Sequence, residues 1–317
     1  MDPAIKKALH AAGISVDSLT EFPELAAWRA GVANYGLSVA ATQTPFDDKV
    51  ILEDKLLTLG GDGNIIRLRM YRPTQNKGLL PAFYWMHGGG MMLGTPEQDD
   101  VQMKQIAAET NALVVSVDYR LAPEFPFPVP LNDCYAGLQW LAEHAKELGV
   151  DNSRIAIGGA SAGGGLAASL ALMVRKKGGP KLVHQSLTYP MLDDRNLTRS
   201  SHQITSLGLW DRCYNIFGWE SYLGTKDGRQ DTPEFAVPAR EQDLSSLPPA
   251  FIGVGALDLF RDEDIDFALR LMEAGVTTEL HFYPGAVHGF DWYTPHSAMS
   301  TSFLSKRLNA LKLAFEK

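Results

Sequence analysis

Cysteine is scarce, with two residues, Cys134 and Cys213, in a chain of 317. Two thiols make neither a disulfide framework nor a cysteine-based metal site, and both read as unbonded packing residues of a reducing compartment. No apolar run is long enough to span a bilayer. The opening Met1-Asp2-Pro3-Ala4-Ile5-Lys6-Lys7-Ala8-Leu9-His10 lacks the apolar core of a secretory signal. The expectation is a cytoplasmic protein without a membrane partner. Positive charge is also in deficit: 29 Lys and Arg stand against 37 Asp and Glu, a net charge of −8. That balance argues against nucleic acid or an anionic membrane surface as a partner. Internal repeats and low-complexity stretches are missing as well, which excludes solenoids and arrays.

What is present is an ordinary globular composition, 45% hydrophobic and 21% charged, sized for one large domain or one domain with a smaller lid. Residues 1–47 read as helical. Leu25, Trp28 and Val32 fall on one helical face after a start at Glu21-Phe22-Pro23. From Val50 to Tyr71, β-rich runs flank Gly60-Gly61-Asp62-Gly63-Asn64, the pattern of a hairpin. A strand–helix rhythm follows. Strands are expected at Leu80–Met86, Leu113–Val117, Arg154–Gly158, Leu182–Tyr189, Phe251–Gly255 and Thr277–Tyr283. Helices are expected at Gln98–Thr110, Leu131–Leu148, Leu166–Lys177, Asp262–Ala274 and Ser300–Phe315. Such alternation implies an α/β fold with a mostly parallel sheet covered on both faces. Between Pro190 and Pro248 the rhythm stops, and Trp210, Tyr214, Phe217, Trp219 and Tyr222 recur at helical spacings. The expected organisation is an α/β body of residues 48–189 and 246–317, with 1–47 and 190–245 forming a helical cap.

The most informative stretch is Ile155-Ala156-Ile157-Gly158-Gly159-Ala160-Ser161-Ala162-Gly163-Gly164-Gly165. An apolar strand runs into a glycine-flanked serine and then a helix. Gly159-x-Ser161-x-Gly163 is the pattern of a nucleophile elbow, a strained turn that presents the serine hydroxyl. The glycines at 159 and 163 are expected because strand and helix approach too closely for side chains beyond a methyl. Gly163-Gly164-Gly165-Leu166-Ala167-Ala168 also satisfies a dinucleotide-binding pattern. There the first glycine should follow the strand directly, so no cofactor is expected.

A serine hydroxyl needs a base, and the base a carboxylate to hold it. Of eight histidines, His288 occupies the loop leaving the last strand, the strand-end position that catalytic groups of such sheets occupy. His281 and His184 fall inside strands, and His144 falls on a helix. His296 is the main rival but lacks the strand-end placement. Asp258 closes the penultimate strand, whereas Asp262, Glu263 and Asp264 read as an acidic helix start favoured by its dipole. The order Ser161, Asp258, His288 is that of an α/β-hydrolase triad. His87-Gly88-Gly89-Gly90 follows Leu80–Met86. Gly89, Gly90 and Ala162 are the candidate N–H donors to an oxyanion, with His87 and Gly88 supporting the loop. Met91, Met92, Trp210 and Tyr214 are candidates for the substrate pocket. No metal is expected.

Four blocks together resemble the hormone-sensitive-lipase-like esterases, family IV of the bacterial esterases. They are His87-Gly88-Gly89-Gly90, Asp118-Tyr119-Arg120-Leu121-Ala122-Pro123-Glu124, Gly159-Ala160-Ser161-Ala162-Gly163-Gly164, and Asp258 with His288-Gly289-Phe290. The resemblance implies the α/β-hydrolase fold with a cap from the N-terminus and a mid-chain insertion. It also implies cofactor-free hydrolysis of short- to medium-chain acyl esters, small molecules being the partners, and often homodimers, for which the last strand offers an edge. Ala160 departs from the Asp or Thr of many relatives, and Leu259-Phe260 from the more usual Pro-Leu. Amide, lactone or peptide substrates share the same chemistry up to the acyl enzyme. The family's non-catalytic hormone receptors lack the histidine that this chain has.

Overall fold

All seven residues of Leu80–Met86 are buried, and a strand covered on both faces belongs inside a parallel sheet. A computed structural model of the chain describes residues 1–11, 24–59, 63–75, 78–205, 210–225 and 231–316. In chain order these hold α1 (Pro3–Ala11), α2 (Leu25–Ala40), the hairpin strands β1 (Val50–Thr58) and β2 (Ile65–Pro73), then β3 (Leu80–Met86), α3 (Asp100–Thr110), β4 (Leu113–Asp118), α4 (Val129–Glu143) and α5 (Ala145–Leu148). There follow β5 (Val150–Ala160), α6 (Ala162–Lys177), β6 (Leu182–Thr188), α7 (Arg199–Gln203), α8 (Arg212–Leu223), β7 (Ala250–Leu257), α9 (Arg261–Glu273), β8 (Thr278–Val287), α10 (Phe290–Tyr293) and α11 (Ala298–Phe315). Among the described residues the strands form one sheet in the order β1-β2-β4-β3-β5-β6-β7-β8. β2 is antiparallel to β1 and β4, and the other neighbours are parallel. The α/β sheet expected from the alternation is present.

Each face of the sheet carries its own apolar layer. Ala82, Tyr84 and Met86 join a layer with Leu138 of α4, Leu166 of α6 and Phe267 of α9. Phe83 and Trp85 point the other way, to Ile106 of α3, Phe303 of α11 and Ile5 of α1. The alternation follows from the two-residue period of a strand.

Several boundaries differ from the sequence expectation. α6 begins at Ala162 rather than Leu166, so the glycines lie inside the helix, where packing overrides their poor helix propensity. β8 continues through Pro284 and Gly285 to Val287. It is an edge strand, and an edge tolerates a proline without an amide donor. Residues 60–62 of the hairpin turn and the helix start at 21–23 lie outside the described residues. No strand occurs between Thr188 and Ala250 among the described residues.

Candidate active site

β5 delivers Ser161 at its C-terminal end. The residue has φ +57° and ψ −122°, far from helix or strand geometry, a strain of order 1–3 kcal/mol. Three backbone bonds hold it: its N–H donates to Thr188 O at 2.9 Å, and its carbonyl accepts from Met191 N at 2.9 Å and Gly165 N at 3.0 Å. A Cβ at Gly163 would overlap the Met86 carbonyl oxygen, and one at Gly159 the Gly163 carbonyl oxygen. The expectation that a methyl group would fit is therefore corrected: neither position has room for one. A Cβ at Gly165 would overlap Met191 O, so backbone, not a cradle for a phosphate, occupies that space.

The β7–β8 register pairs Leu257 with Val287, which sets the next residues, Asp258 and His288, side by side. His288 Nδ1 lies 2.8 Å from Asp258 Oδ2, and its Nε2 lies 2.9 Å from Ser161 Oγ. A carboxylate only accepts, so Nδ1 carries the proton and Nε2 is left to accept from the serine hydroxyl. Asp258 is fully buried, and its other oxygen accepts from Phe260 N at 3.0 Å. The imidazole meets Tyr189 at 4.7 Å and Phe260 at 5.1 Å between ring centroids, both edge-on. Tyr189 is itself fixed by its hydroxyl, which donates to Asp291 Oδ1 at 2.7 Å. His296 lines a separate surface depression with Gln105 and Glu109.

Met86 pairs with Gly159, so the loop after β3 runs beside the elbow. A Cβ at Gly88 would lie 3.4 Å from Ser161 Cβ. Gly89 and Gly90 have φ of +126° and +61°, the region that favours glycine. A Cβ at Gly90 would run into the ring of Trp210. His87 is fully buried. Its ring stacks on Tyr119 at 4.3 Å, and its Nδ1 lies 2.9 Å from Gly88 O. The Tyr119 hydroxyl donates to His87 O at 2.8 Å, and Gln98 Nε2 donates to Gly88 O at 3.3 Å. Burial holds the His87 pKa below its ordinary value, which favours a neutral ring.

A cavity of about 100 Å³ opens onto Ser161 and His288, walled by Trp28, Val32, Leu93, Ala160, Trp210 and Trp292 among others. Of the four residues expected to line a pocket, Trp210 borders this cavity. Met91 and Met92 are not in the wall: both are buried in the core, and Leu93 takes their place. The physical reason is the positive-φ run Gly89-Gly90-Met91, which turns both methionines inward. Tyr214 stands in a second layer, its ring 4.7 Å from Trp28 and 5.9 Å from Trp210. Trp28 and Val32 were legible only as a helical apolar face. Tyr189, Leu93 and Trp292 carried no signal that separates a cavity wall from core.

Glu263 and Asp264 lie in the first turn of α9, as expected. Both are buried, and burial pushes both carboxyls well above the usual range. Glu263 accepts from the backbone N–H of Leu192 and Asp193 at 2.8 and 3.2 Å, so it ties α9 to the chain after β6. No group of three or more His, Cys, Asp or Glu that would hold a metal occurs among the described residues.

A family model described as alpha/beta hydrolase fold matches residues 83–291. Carboxylesterase NlhH of Mycobacterium tuberculosis is 40% identical over 265 residues, covering 81% of each chain. Esterase LipI of the same organism is 36% identical over 261 residues, again 81% of each. Among solved structures, the bacterial heroin esterase superposes with a TM-score of 0.92 at 36% identity, over 100% of this chain and 98% of that one. The fold and the elbow define an α/β-hydrolase. The chain belongs to that family, in the hormone-sensitive-lipase-like branch that its four motif blocks resemble.

Proposed function

We propose that the protein hydrolyses short- to medium-chain acyl esters through an acyl enzyme on Ser161. It is a carboxylic ester hydrolase. The observation that carries the reading is the imidazole of His288, bridging Ser161 Oγ at 2.9 Å and Asp258 Oδ2 at 2.8 Å. Ser161 Oγ attacks the ester carbonyl while His288 Nε2 takes its proton. Asp258 stabilises the imidazolium, and the N–H groups of Gly89, Gly90 and Ala162 receive the oxyanion. The intermediate collapses, and His288 returns the proton to the leaving alcohol. Water, deprotonated by the same imidazole, then releases the acid and restores the serine.

The cavity beside Ser161 is walled mainly by apolar side chains, Trp28, Val32, Leu93 and Trp210 among them, a lining suited to an acyl group. Residues 1–47 and 190–245 form the cap in this reading, since Trp28 and Trp210 come from those two segments and meet with ring centroids 6.3 Å apart. The unbonded thiols of Cys134 and Cys213 support a cytoplasmic setting, and no helix among the described residues is long and apolar enough to cross a membrane. The edge strand β8, with Phe282 exposed, supports homodimerisation, which sedimentation velocity tests. The activity is tested with Ser161→Ala on p-nitrophenyl acetate and butyrate. Turnover is expected to vanish with the circular dichroism spectrum retained, and undiminished turnover would reject the assignment.

A further inference from the structure

The block Asp118–Glu124 contributes no group to the cavity, yet part of it grips α2. The guanidinium of Arg29 donates from Nε to Met92 O at 2.9 Å and from Nη2 to Ala122 O at 2.7 Å. It also forms a two-pronged pair with Glu124, Nη1 to Oε1 at 2.6 Å and Nη2 to Oε2 at 2.7 Å. A planar fork with several fixed donors is suited to such a junction, and an ammonium is not. The same loop is pinned from within: Met92 N and Leu93 N donate to Gly89 O at 3.0 and 2.8 Å, and Ala122 N donates to Met91 O at 2.9 Å.

On α2, Leu25, Trp28 and Val32 pack against the core while only partly buried, and Gly36 is its one fully buried residue, so the guanidinium adds a polar hold to an apolar one. Arg29 is flanked on α2 by Trp28 and, one turn on, by Val32, both walls of the cavity, while Gly89 and Leu93 of the loop it holds form another wall.

Resting on the esterase reading above, we propose that Arg29 is a positioning residue. It latches α2 to the 89–93 loop, so that one guanidinium sets both the tryptophan wall of the acyl cavity and the geometry of the oxyanion donors. Ala122 and Glu124 are the body's half of the latch. The Glu124 ion pair is half-exposed, with side-chain exposures of 28% for Arg29 and 53% for Glu124. A pair in that setting is weak, so the bonds to Met92 O and Ala122 O carry most of the latch.

The test uses the full chain with Arg29→Ala, Arg29→Lys and Glu124→Gln. On p-nitrophenyl butyrate, Arg29→Ala is expected to lose about tenfold or more in kcat/KM, misplacement by an ångström costing up to about a hundredfold. Its acetate-to-octanoate preference shifts toward octanoate as the wall loosens. Arg29→Lys resembles Arg29→Ala. Glu124→Gln, which leaves both carbonyl bonds, changes in the same direction but less. An activity-independent readout accompanies this: amide hydrogen exchange in Arg29→Ala is expected to quicken both in residues 25–40 and in residues 88–93, with the rest of the sheet unchanged. Faster exchange in α2 alone, or an unaltered acyl preference in a folded Arg29→Ala, overturns the latch. Wild-type protein that turns over no ester overturns the esterase reading instead, and the exchange experiment still decides the coupling.

Discussion

Asp258 and His288 are 30 residues apart in the chain and 2.8 Å apart in space. One register pair, Leu257 with Val287, sets that distance. Asp258→Asn keeps the shape but offers an amide where the imidazole needs a carboxylate, so the wrong tautomer is favoured. The expected loss in kcat is about 10³–10⁴-fold with the fold intact. Steady-state kinetics with p-nitrophenyl butyrate measure it, and a loss below about tenfold would remove Asp258 from the proposed mechanism.

Gly163 touches backbone where Gly31 touches nothing. A Cβ at Gly163 would overlap Met86 O, while one at Gly31, in α2, meets no atom within 4 Å. Gly163→Ala is expected to lower stability by about 1–3 kcal/mol, the scale of overpacking, and to displace the elbow. Gly31→Ala is expected to raise helix stability by about 0.5–1 kcal/mol. Thermal unfolding of the two variants checks the pair.

Trp210 and Met92 separate wall from core. Trp210→Ala enlarges the cavity beside Gly90 and is expected to move the optimum of an acyl-length series toward longer chains. Met92→Ala leaves the wall unchanged. It is expected to cost about 2–5 kcal/mol of stability with the acyl profile retained. Equal acyl profiles in wild type and Trp210→Ala would contradict the cavity assignment.

Asp99 gives a pH dependence of stability. Burial, followed by the neighbouring carboxylates, pushes its carboxyl up to about 7 from 3.8, although the Trp85 indole N–H donates to it at 2.7 Å. A raised acid makes the folded state hold a proton that the unfolded chain has released. Its stability contribution is full below about pH 4, declines by about 1.4 kcal/mol per pH unit up to about pH 7, and is constant above. Asp99→Asn mimics the protonated form. The Tm of the variant relative to wild type should therefore rise between pH 4 and 7 and level off at higher pH. A difference independent of pH would show that Asp99 ionises freely in the fold.

Much of the site was legible because its parts are local. The elbow, the glycine loop and the strand-end positions of Asp258 and His288 each occupy a short run with its own backbone demand. The alternation of strands and helices then carries them to one rim of the sheet. The cavity wall was less legible. Leu93, Tyr189 and Trp292 reach it through loop paths that no periodicity encodes, and Met91 and Met92 missed it because the positive-φ turn before them was not readable. Glu263 and Asp264 were legible as an acidic helix start, but their burial was not, because tertiary packing rather than the local run sets it.

The central claim, that Ser161 is the nucleophile, is tested most directly by a p-nitrophenyl alkylphosphonate, which leaves a stable phosphonyl group on an activated serine. Intact mass spectrometry followed by peptide mapping is expected to find one phosphonyl group per chain, on Ser161, with esterase activity lost in proportion, and none on Ser161→Ala. Labelling at another residue, or activity that survives complete labelling of Ser161, would contradict it.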